Sequence, residues 1–567
     1  MKQVDFDAKN NILLIKFTGS EFNKNLAFVK ALNSSLFVMA GRYWTAPAIE
    51  SNIKKLQDDG WDFTTNAISL LKKDKKPEVK IDEEKLEGLF PFQKEGVKWL
   101  EHNNGMGIVS DDCGLGKTVQ AISYAKLHKE HLPILIVCPA SVKLQWKNEI
   151  KFWGKSSSVE VLYGRTRSDL PSAKWYIINY DVLGEEVPEL DEHGNPILNK
   201  FGKVKKYFLS SSWVYEFIDK KVGLIVLDEC QFISHDSIRT RAVRMLKKSL
   251  PGAKLIGLSG TPIRNRPAEF FNILNLVAPK VFGSRRKFHH HFCDPQHNGY
   301  GWIFNGAAHL DELHELVAPY MIRRLKADVL KQLPPKIVSI VPLELEEIDR
   351  RNYNDAEEKF KEWLESHFKD FISIQEQMEK LKQLAYLAKR NAVMQWIEDY
   401  LTTGKKLVVM TYHKMAMDDI YGKFKKIAVQ IDGSTSHKAR QEAKEKFMHD
   451  DSVQLFVGQI WAAGVGVDGL QTVCDTMAMV EFTYTPADHA QAEDRLHRMS
   501  KDGKYADSIS IYYLVADGTI ENSLVKMLVQ KHKVTKKILD GKEEQFFDGQ
   551  EKNLVKELSD KYRRATL

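Results

Sequence analysis

The segment Ser110-Asp-Asp-Cys-Gly-Leu-Gly-Lys-Thr-Val-Gln120 combines glycines, a lysine and a hydroxyl in an order suited to binding phosphate. It follows the apolar run Gly107-Ile-Val109 and precedes the helix-like Ala121-Ile-Ser-Tyr-Ala-Lys-Leu127. Strand, glycine loop, then helix is the context in which such a pattern cradles a polyphosphate. Gly114 and Gly116 let the loop, with Asp112 and Leu115, turn its N–H groups inward, and the helix N-terminus adds a favourable dipole. Lys117 can reach the β- and γ-phosphates, and Thr118 can hold Mg²⁺. Asp111 occupies the place where the common G-x-x-x-x-G-K-[ST] pattern has its first glycine.

Two further clusters suit cleavage of a phosphate bond. Leu224-Ile-Val-Leu-Asp228-Glu229-Cys230-Gln231 reads as a buried strand delivering two acids at its end. The first carboxylate would bind Mg²⁺ and the second would orient or deprotonate water, although acids after a strand also serve as helix caps. In Gln491-Ala-Glu-Asp-Arg495-Leu-His-Arg498, the two arginines are three apart, so one helical turn points both the same way. Such a pair can stabilise charge building on a γ-phosphate, as an arginine finger does. A solvated basic helix face has the same spacing.

Positioning these clusters requires a scaffold. From about 86 to 275, apolar runs at 134–138, 175–179, 223–227 and 255–259 alternate with amphipathic helix patterns, which predicts a parallel sheet covered by helices. Within it, 184–210 is polar and turn-rich and reads as a surface insertion. Residues 345–400 read as a long charged helical region. A second alternating block starts at Lys406–Thr411, with strands at 427–431, 453–457, 476–481 and 508–514. Residues 1–75 form a small α+β module, with strands near 11–17 and 42–47 and helices near 24–33 and 48–57. The lysine-rich Lys72–Pro77 reads as a linker.

A chain of 567 residues exceeds what one core usually supports. Its 43% hydrophobic and 28% charged residues are ordinary for a soluble protein. The net charge of +7 fits either a basic groove or a slightly basic exterior. Five scattered cysteines argue against a disulfide framework. The start MKQVDFDAKN lacks a leader pattern, and no apolar run approaches ~18 residues. A cytoplasmic, nucleoid-associated protein without membrane contact is expected.

Taken together, these segments resemble a superfamily-two motor of the Swi/Snf type. The resemblance rests on Phe90-Pro-Phe-Gln93, the glycine loop, Cys138–Trp146, Asn179-Tyr-Asp181, Asp228–Gln231 and Leu258–Pro262. It continues through Arg323–Leu330 with Leu333-Pro-Pro-Lys336, Ile431–Ser436, Ala462–Gly466 and Gln491–Arg498, covering roughly 88–540. It implies an α/β fold of two RecA-like parallel-sheet domains with helical insertions, beside the N-terminal α+β module. The implied division is 1–75, the module; 86–280, ATPase domain 1; 281–400, helical insertions and linker; 401–540, domain 2; and 541–567, a tail.

The resemblance also implies roles. Gln93 would read adenine; Lys117, Asp228, Glu229, Gln491, Arg495 and Arg498 would be catalytic, with Mg²⁺ on Thr118 and Asp228. Pro139, Ser141, Asn179, Tyr180, His413, Ser434 and Thr435 would contact the DNA backbone, where sequence-independent grip is expected. Ser259, Thr261 and Gln231 would couple hydrolysis to movement. Gln231 replaces a histidine that many members carry. Asp468 replaces a threonine usual in relatives and is assigned to the ribose.

Segments Phe292–Trp302, Leu310–His314 and Met321–Leu330 look most like the annealing-helicase, fork-remodelling branch, and residues around Trp44-Thr-Ala-Pro47 resemble its HARP-type module. An ATP- and Mg²⁺-dependent translocase on double-stranded or forked DNA is therefore expected, monomeric and of bacterial or phage origin. Alternatives are a remover of DNA-bound proteins and a nucleotide-gated DNA clamp with vestigial hydrolysis. Zinc binding by His289, His290, His291, Cys293 and His297 is not expected, because three consecutive histidines cannot all face one ion in regular structure.

Overall fold

The structure is a computed structural model. It describes residues 1–7, 12–32, 35–65, 67–68, 81, 83–165, 170–199, 202–297, 299, 301–330, 333–367, 371–463, 469–498 and 508–541. The Lys72–Pro77 linker, Asp468 and the tail beyond 541 lie outside these residues. The chain divides into two compact units, the first comprising Met1–Leu325 and Val534–Lys542, the second centred on Lys326–Lys533.

In the first unit, β1 (Lys2–Asp7), β2 (Ile12–Phe17), β3 (Leu36–Val38), β4 (Tyr43–Pro47) and β5 (Asp62–Phe63) form one sheet, ordered β3-β4-β2-β1-β5. Helices Phe22–Lys30 and Glu50–Asp58 accompany it. Val4, Leu13, Ile15, Val29, Leu56 and Trp61 give this module a core of its own. It also docks on the rest of the unit. Ile12 and Ile49 join the larger core, and the Ser51 hydroxyl donates to Glu315 Oε2 at 2.9 Å.

The unit's main sheet is built from β6 (Met106–Val109), β7 (Ile134–Cys138), β8 (Val159–Val161) and β9 (Trp175–Asn179). Strands β10 (Gly184–Pro188) and β11 (Lys206–Ser210) form a separate antiparallel hairpin in the segment read as an insertion. The main sheet continues with β12 (Leu224–Asp228) and β13 (Lys254–Leu258). A second small hairpin, β14 (Gln296–His297) and β15 (Trp302–Ile303), precedes the short β16 (Met321–Ile322). The seven main strands are all parallel, in the order β16-β6-β13-β12-β7-β9-β8. Side chains alternate between two cores with the period of two that a strand imposes. From β7, Ile134, Ile136 and Cys138 enter one cluster while Leu135 and Val137 enter the other. Burial on both faces explains the continuous apolar runs.

The second unit holds another all-parallel sheet. Its strands are β17 (Lys336–Leu343), β18 (Leu407–Thr411), β19 (Ala428–Ile431), β20 (Leu455–Gln459), β21 (Thr476–Met479) and β22 (Ile509–Ala516), ordered β17-β22-β21-β18-β20-β19. The α/β class with two parallel sheets is therefore as expected.

The reading of 281–400 as helical needs correction, because β16 joins the first sheet and β17 the second. Two residues give no periodic signal. At the sheet edge, β17 pairs on one side only, which tolerates Pro342 and partial exposure and so masks a strand pattern.

One buried ion pair fastens the second sheet to its helices. Lys389, in helix Phe371–Leu401, is wholly buried and donates to Val480 O at 2.5 Å and Leu514 O at 2.6 Å. It also meets both Glu521 oxygens at 2.8 and 2.7 Å. Removing one partner of such a pair strands a charge in the interior. Lys389→Met is expected to cost about 3–5 kcal/mol of unfolding free energy, read from urea denaturation, with Lys389→Met/Glu521→Leu recovering much of it.

Candidate functional site

In open parallel sheets, ligands bind outside the carboxyl ends of the strands. The first unit places its chemistry there: the phosphate loop follows β6, Asp228 ends β12, and Ser259 follows β13. Because β6, β13 and β12 are neighbours, these loops lie side by side. A Cβ on Gly260 would stand 2.7 Å from Cys113 Sγ and 3.4 Å from Lys117 Nζ, so the loops touch.

Gly116 has a φ of 75°, in the left-handed region open to glycine, immediately before helix Lys117–Leu127. A Cβ there would also stand 2.4 Å from Gln93 Nε2. Gln93 links two elements: its Oε1 accepts from Phe90 N at 3.0 Å, and its Nε2 donates to Leu115 O at 3.2 Å. Lys117 Nζ donates to the carbonyls of Asp111 and Asp112 at 2.8 and 3.2 Å. Burial would lower its pKa, but Cys113, Glu229, Asp111 and Asp112 nearby raise it overall. The ammonium stays charged, as a phosphate partner requires.

Asp228 is held on three sides. Trp146 Nε1 donates to its Oδ2 at 2.7 Å, Glu229 N to its Oδ1 at 3.0 Å, and Tyr180 OH to its carbonyl at 2.8 Å. Burial, then the charge of Glu229, raises the Asp228 pKa. Two acids crowded in a buried place favour a cation between them. Glu229 adopts a left-handed φ of 50°, a strained conformation for a side-chain-bearing residue, and accepts from Gln231 Nε2 at 2.6 Å. Buried atoms without hydrogen-bond partners among the described residues include Gln231 Oε1 and Thr261 Oγ1, both beside this cluster. Glycine cradle, lysine, hydroxyl Thr118 and paired acids together fit a magnesium-bound polyphosphate.

Asp111 stands where the common phosphate-loop pattern has its first glycine. It is wholly buried and paired with Arg324, whose Nη2 lies 2.5 Å from Oδ2 and whose Nε lies 2.9 Å from Oδ1. The Arg324 backbone N–H and Gln120 Nε2 complete its shell at 3.1 and 2.9 Å. Arg323 donates to Ser110 O at 2.8 Å and Gly260 O at 3.2 Å, and pairs with Asp540. These arginines carried no assigned role in the sequence. Their only local sign is the adjacent pair after an apolar dipeptide.

Two residues expected at the DNA backbone have buried side chains. Tyr180 is 1% exposed with its hydroxyl on Asp228, and Asn179 is 7% exposed with Oδ1 accepting from Lys143 Nζ at 3.1 Å. Both side chains brace strand ends. Pro139 is half-buried and Ser141 exposed, on the turn after β7.

In the second unit, His413, Ser434 and Thr435 follow the carboxyl ends of β18 and β19. The His413 ring is spanned by two acids, with Nδ1 2.6 Å from Glu481 Oε1 and Nε2 3.1 Å from Glu379 Oε2. Ser434 and Thr435 hydroxyls each donate to Asp432 Oδ1 at 2.8 Å, while the exposed Lys414 meets Oδ2 at 2.7 Å. They precede the N-terminus of helix His437–His449, a favourable place for a phosphate.

The arginine segment also departs from expectation. Helix Pro486–Glu493 carries Gln491 but ends before Arg495 and Arg498, which lie in the following turns. The helical-turn argument for their common direction therefore fails. Instead, Lys326 Nζ pairs with Asp494 at 2.7 Å and donates to His497 O at 2.5 Å, and Lys336 pairs with Glu493 at 2.7 Å.

Among the histidines considered for zinc, His291 stacks on His309 with centroids 4.3 Å apart and meets Glu312 Oε2 at 2.8 Å. Cys293 is buried in the hydrophobic core.

Fold and site together define an α/β protein with a phosphate loop and paired acids at one sheet edge. The profile of the SNF2-related domain matches residues 92–408, and that of the helicase conserved C-terminal domain matches 388–500. The chain belongs to the SNF2-related family. It is 31% identical over 486 residues to a Xenopus laevis "SWI/SNF-related matrix-associated actin-dependent regulator of chromatin subfamily A-like protein 1", covering 83% of this chain and 46% of that protein. It is 30% identical over 473 residues to the Bos taurus "DNA annealing helicase and endonuclease ZRANB3", covering 80% and 41% respectively. The chain thus spans about half the length of the curated relatives it matches. Against the Sulfolobus solfataricus SWI2/SNF2 ATPase core in complex with dsDNA, identity is 24% and the TM-score 0.34, over 83% of this chain and 95% of that one. No helix among the described residues is long and apolar enough to cross a membrane.

Two outcomes follow from the site's electrostatics. Asp111→Gly, which restores the common pattern, strands the Arg324 charge and is expected to cost about 3–5 kcal/mol in denaturant unfolding. For His413, burial lowers the pKa, but hydrogen bonds with Glu379 and Glu481 raise it above the ordinary 6.5. A raised pKa means that protonation favours the folded state. The contribution is full below pH 6.5 and disappears as pH rises through the folded value. Thermal melts of the wild type should therefore lose stability above pH 6.5, and His413→Gln should flatten that loss.

Proposed function

We propose that this chain is an ATP-driven translocase on double-stranded DNA that remodels or anneals branched DNA. The observation that carries the ATPase reading is the meeting of Lys117, Asp228 and Glu229 at one sheet edge, with the phosphate loop touching Gly260. Mg²⁺, once bound by Thr118 and Asp228, would neutralise phosphate charge. Lys117 would hold the β- and γ-phosphates, and Glu229 would orient the attacking water. Gln93 would recognise adenine while remaining tied to the loop that grips the phosphates. Arg495, Arg498 and Gln491 would meet charge developing during transfer, and Asp468 the ribose.

Ser259, Thr261 and Gln231 are the proposed transmitters of hydrolysis. Their support is local: Ser259 Oγ accepts from Thr261 N at 2.9 Å, and Gln231 holds Glu229. For DNA, Ser141, Ser434, Thr435 and Lys414 offer exposed or half-buried donors, which suits backbone contacts that carry no sequence information. The branched-DNA part of the reading draws on the "DNA annealing helicase" name of the ZRANB3 relatives.

The proposal separates binding from turnover. Lys117→Ala should lower ATP turnover at least about a hundredfold while leaving the Kd for a forked duplex within about twofold. Annealing of partly unpaired duplex DNA should be lost with turnover. Annealing that survives Lys117→Ala would contradict an ATP-driven activity.

A further inference from the structure

Four residues carry the chain from the first unit into the second: Arg323, Arg324 and Leu325 end one, and Lys326 begins the other. Each charged member is committed to an element with a proposed role in ATP turnover. Arg324 closes on Asp111 and Gln120 inside the phosphate loop and its helix, and Arg323 holds the carbonyls of Ser110 and Gly260. Lys326 is 3% exposed and fixes the turn that bears the arginines, through Asp494 and the His497 carbonyl.

We propose that Arg323-Arg324-Leu325-Lys326 is a positioning strut: its arginines set the phosphate loop, its lysine sets the Arg495–Arg498 turn, and turnover depends on both attachments. The inference rests on the reading of the chain as an ATPase.

The physical case has three parts. First, these side chains are no more than 11% exposed and have several partners each, so their geometry is stiff; a pair so shielded cannot exchange with water at small cost. Asp494 shows the strength of the attachment. Burial raises its pKa, yet Lys326 and Lys336 bring it below the ordinary carboxylate value. Second, the attachments are to backbone as well as side chain. Arg323 grips two loop carbonyls and Lys326 grips one turn carbonyl, so the strut sets where the main chain runs. Third, only Leu325 separates the two sets of anchors.

The return crossing behaves alike. Helix Ile520–Asp540 begins in the second unit, and its last turns belong to the first, where Asp540 pairs with Arg323. Lys536 adds a second cation to Asp540 at 3.1 Å. Among the described residues, both crossings of the chain between the units therefore lead to Arg323, which touches the phosphate loop.

The test uses the full chain and duplex DNA, with ATP turnover, binding of a fluorescent ADP analogue and thermal melting measured together. Lys326→Met should lower kcat about tenfold or more while the ADP-analogue Kd stays within about twofold. Lys326→Arg should recover a substantial part of that loss. Asp494→Asn cuts the same attachment from the other side without removing the lysine, and should lower kcat in the same direction; it decides the matter if Lys326→Met does not fold. Retained kcat in folded Asp494→Asn, or a loss that only follows the unfolded fraction, overturns the strut. A wild type that turns over no ATP with any DNA overturns instead the ATPase reading on which it rests.

Discussion

The ion pair between Asp111 and Arg324 organises the first unit's chemistry. A phosphate loop is a run of backbone N–H groups that must keep one conformation while its ligand comes and goes. Glycines permit that conformation but do not enforce it. Here enforcement comes from a wholly buried carboxylate, which gathers Arg324, the Arg324 N–H and Gln120 around the loop's first residue. Gln93 acts from the other side by holding the Leu115 carbonyl. The place of a pattern glycine has become the place of an anchor.

The acids at the end of β12 pose the opposite problem. Asp228 and Glu229 are adjacent, and burial together with the charge of Glu229 raises the Asp228 pKa, a penalty that a cation would relieve. Trp146, Gln231 and the Tyr180 hydroxyl fix their positions without neutralising them. Such a cluster is poised for a metal rather than satisfied by the protein. In the second unit the pattern reverses: His413 and Lys414 are already matched by Glu379, Glu481 and Asp432.

Much of this was legible in the sequence where a local pattern forces a local structure. The apolar runs of β7, β9, β12 and β13 are buried on both faces, and their alternation with helix patterns announces a parallel sheet. The phosphate loop declares itself because its glycines, lysine and threonine are contiguous. What was illegible depends on partners distant in the chain. Arg324 meets Asp111 across 213 residues, and Trp146 meets Asp228 across 82. The burial of Tyr180, whose DNA contact is an implication of the resemblance, has no local sign in the sequence. The arginine segment reads as helix throughout, yet the helix stops at Glu493, where Lys336 and Tyr513 engage the glutamate. Strands β16 and β17 were missed because one is two residues long and the other lies at a sheet edge.

The role proposed for the loop at 111–118 is to drive work on DNA rather than merely to hold a nucleotide. Steady-state ATP hydrolysis by the full chain, compared without DNA and with single-stranded, duplex and forked DNA, tests it most directly. Duplex and forked DNA should raise kcat by about tenfold or more over the DNA-free rate. Turnover indifferent to every DNA would contradict it.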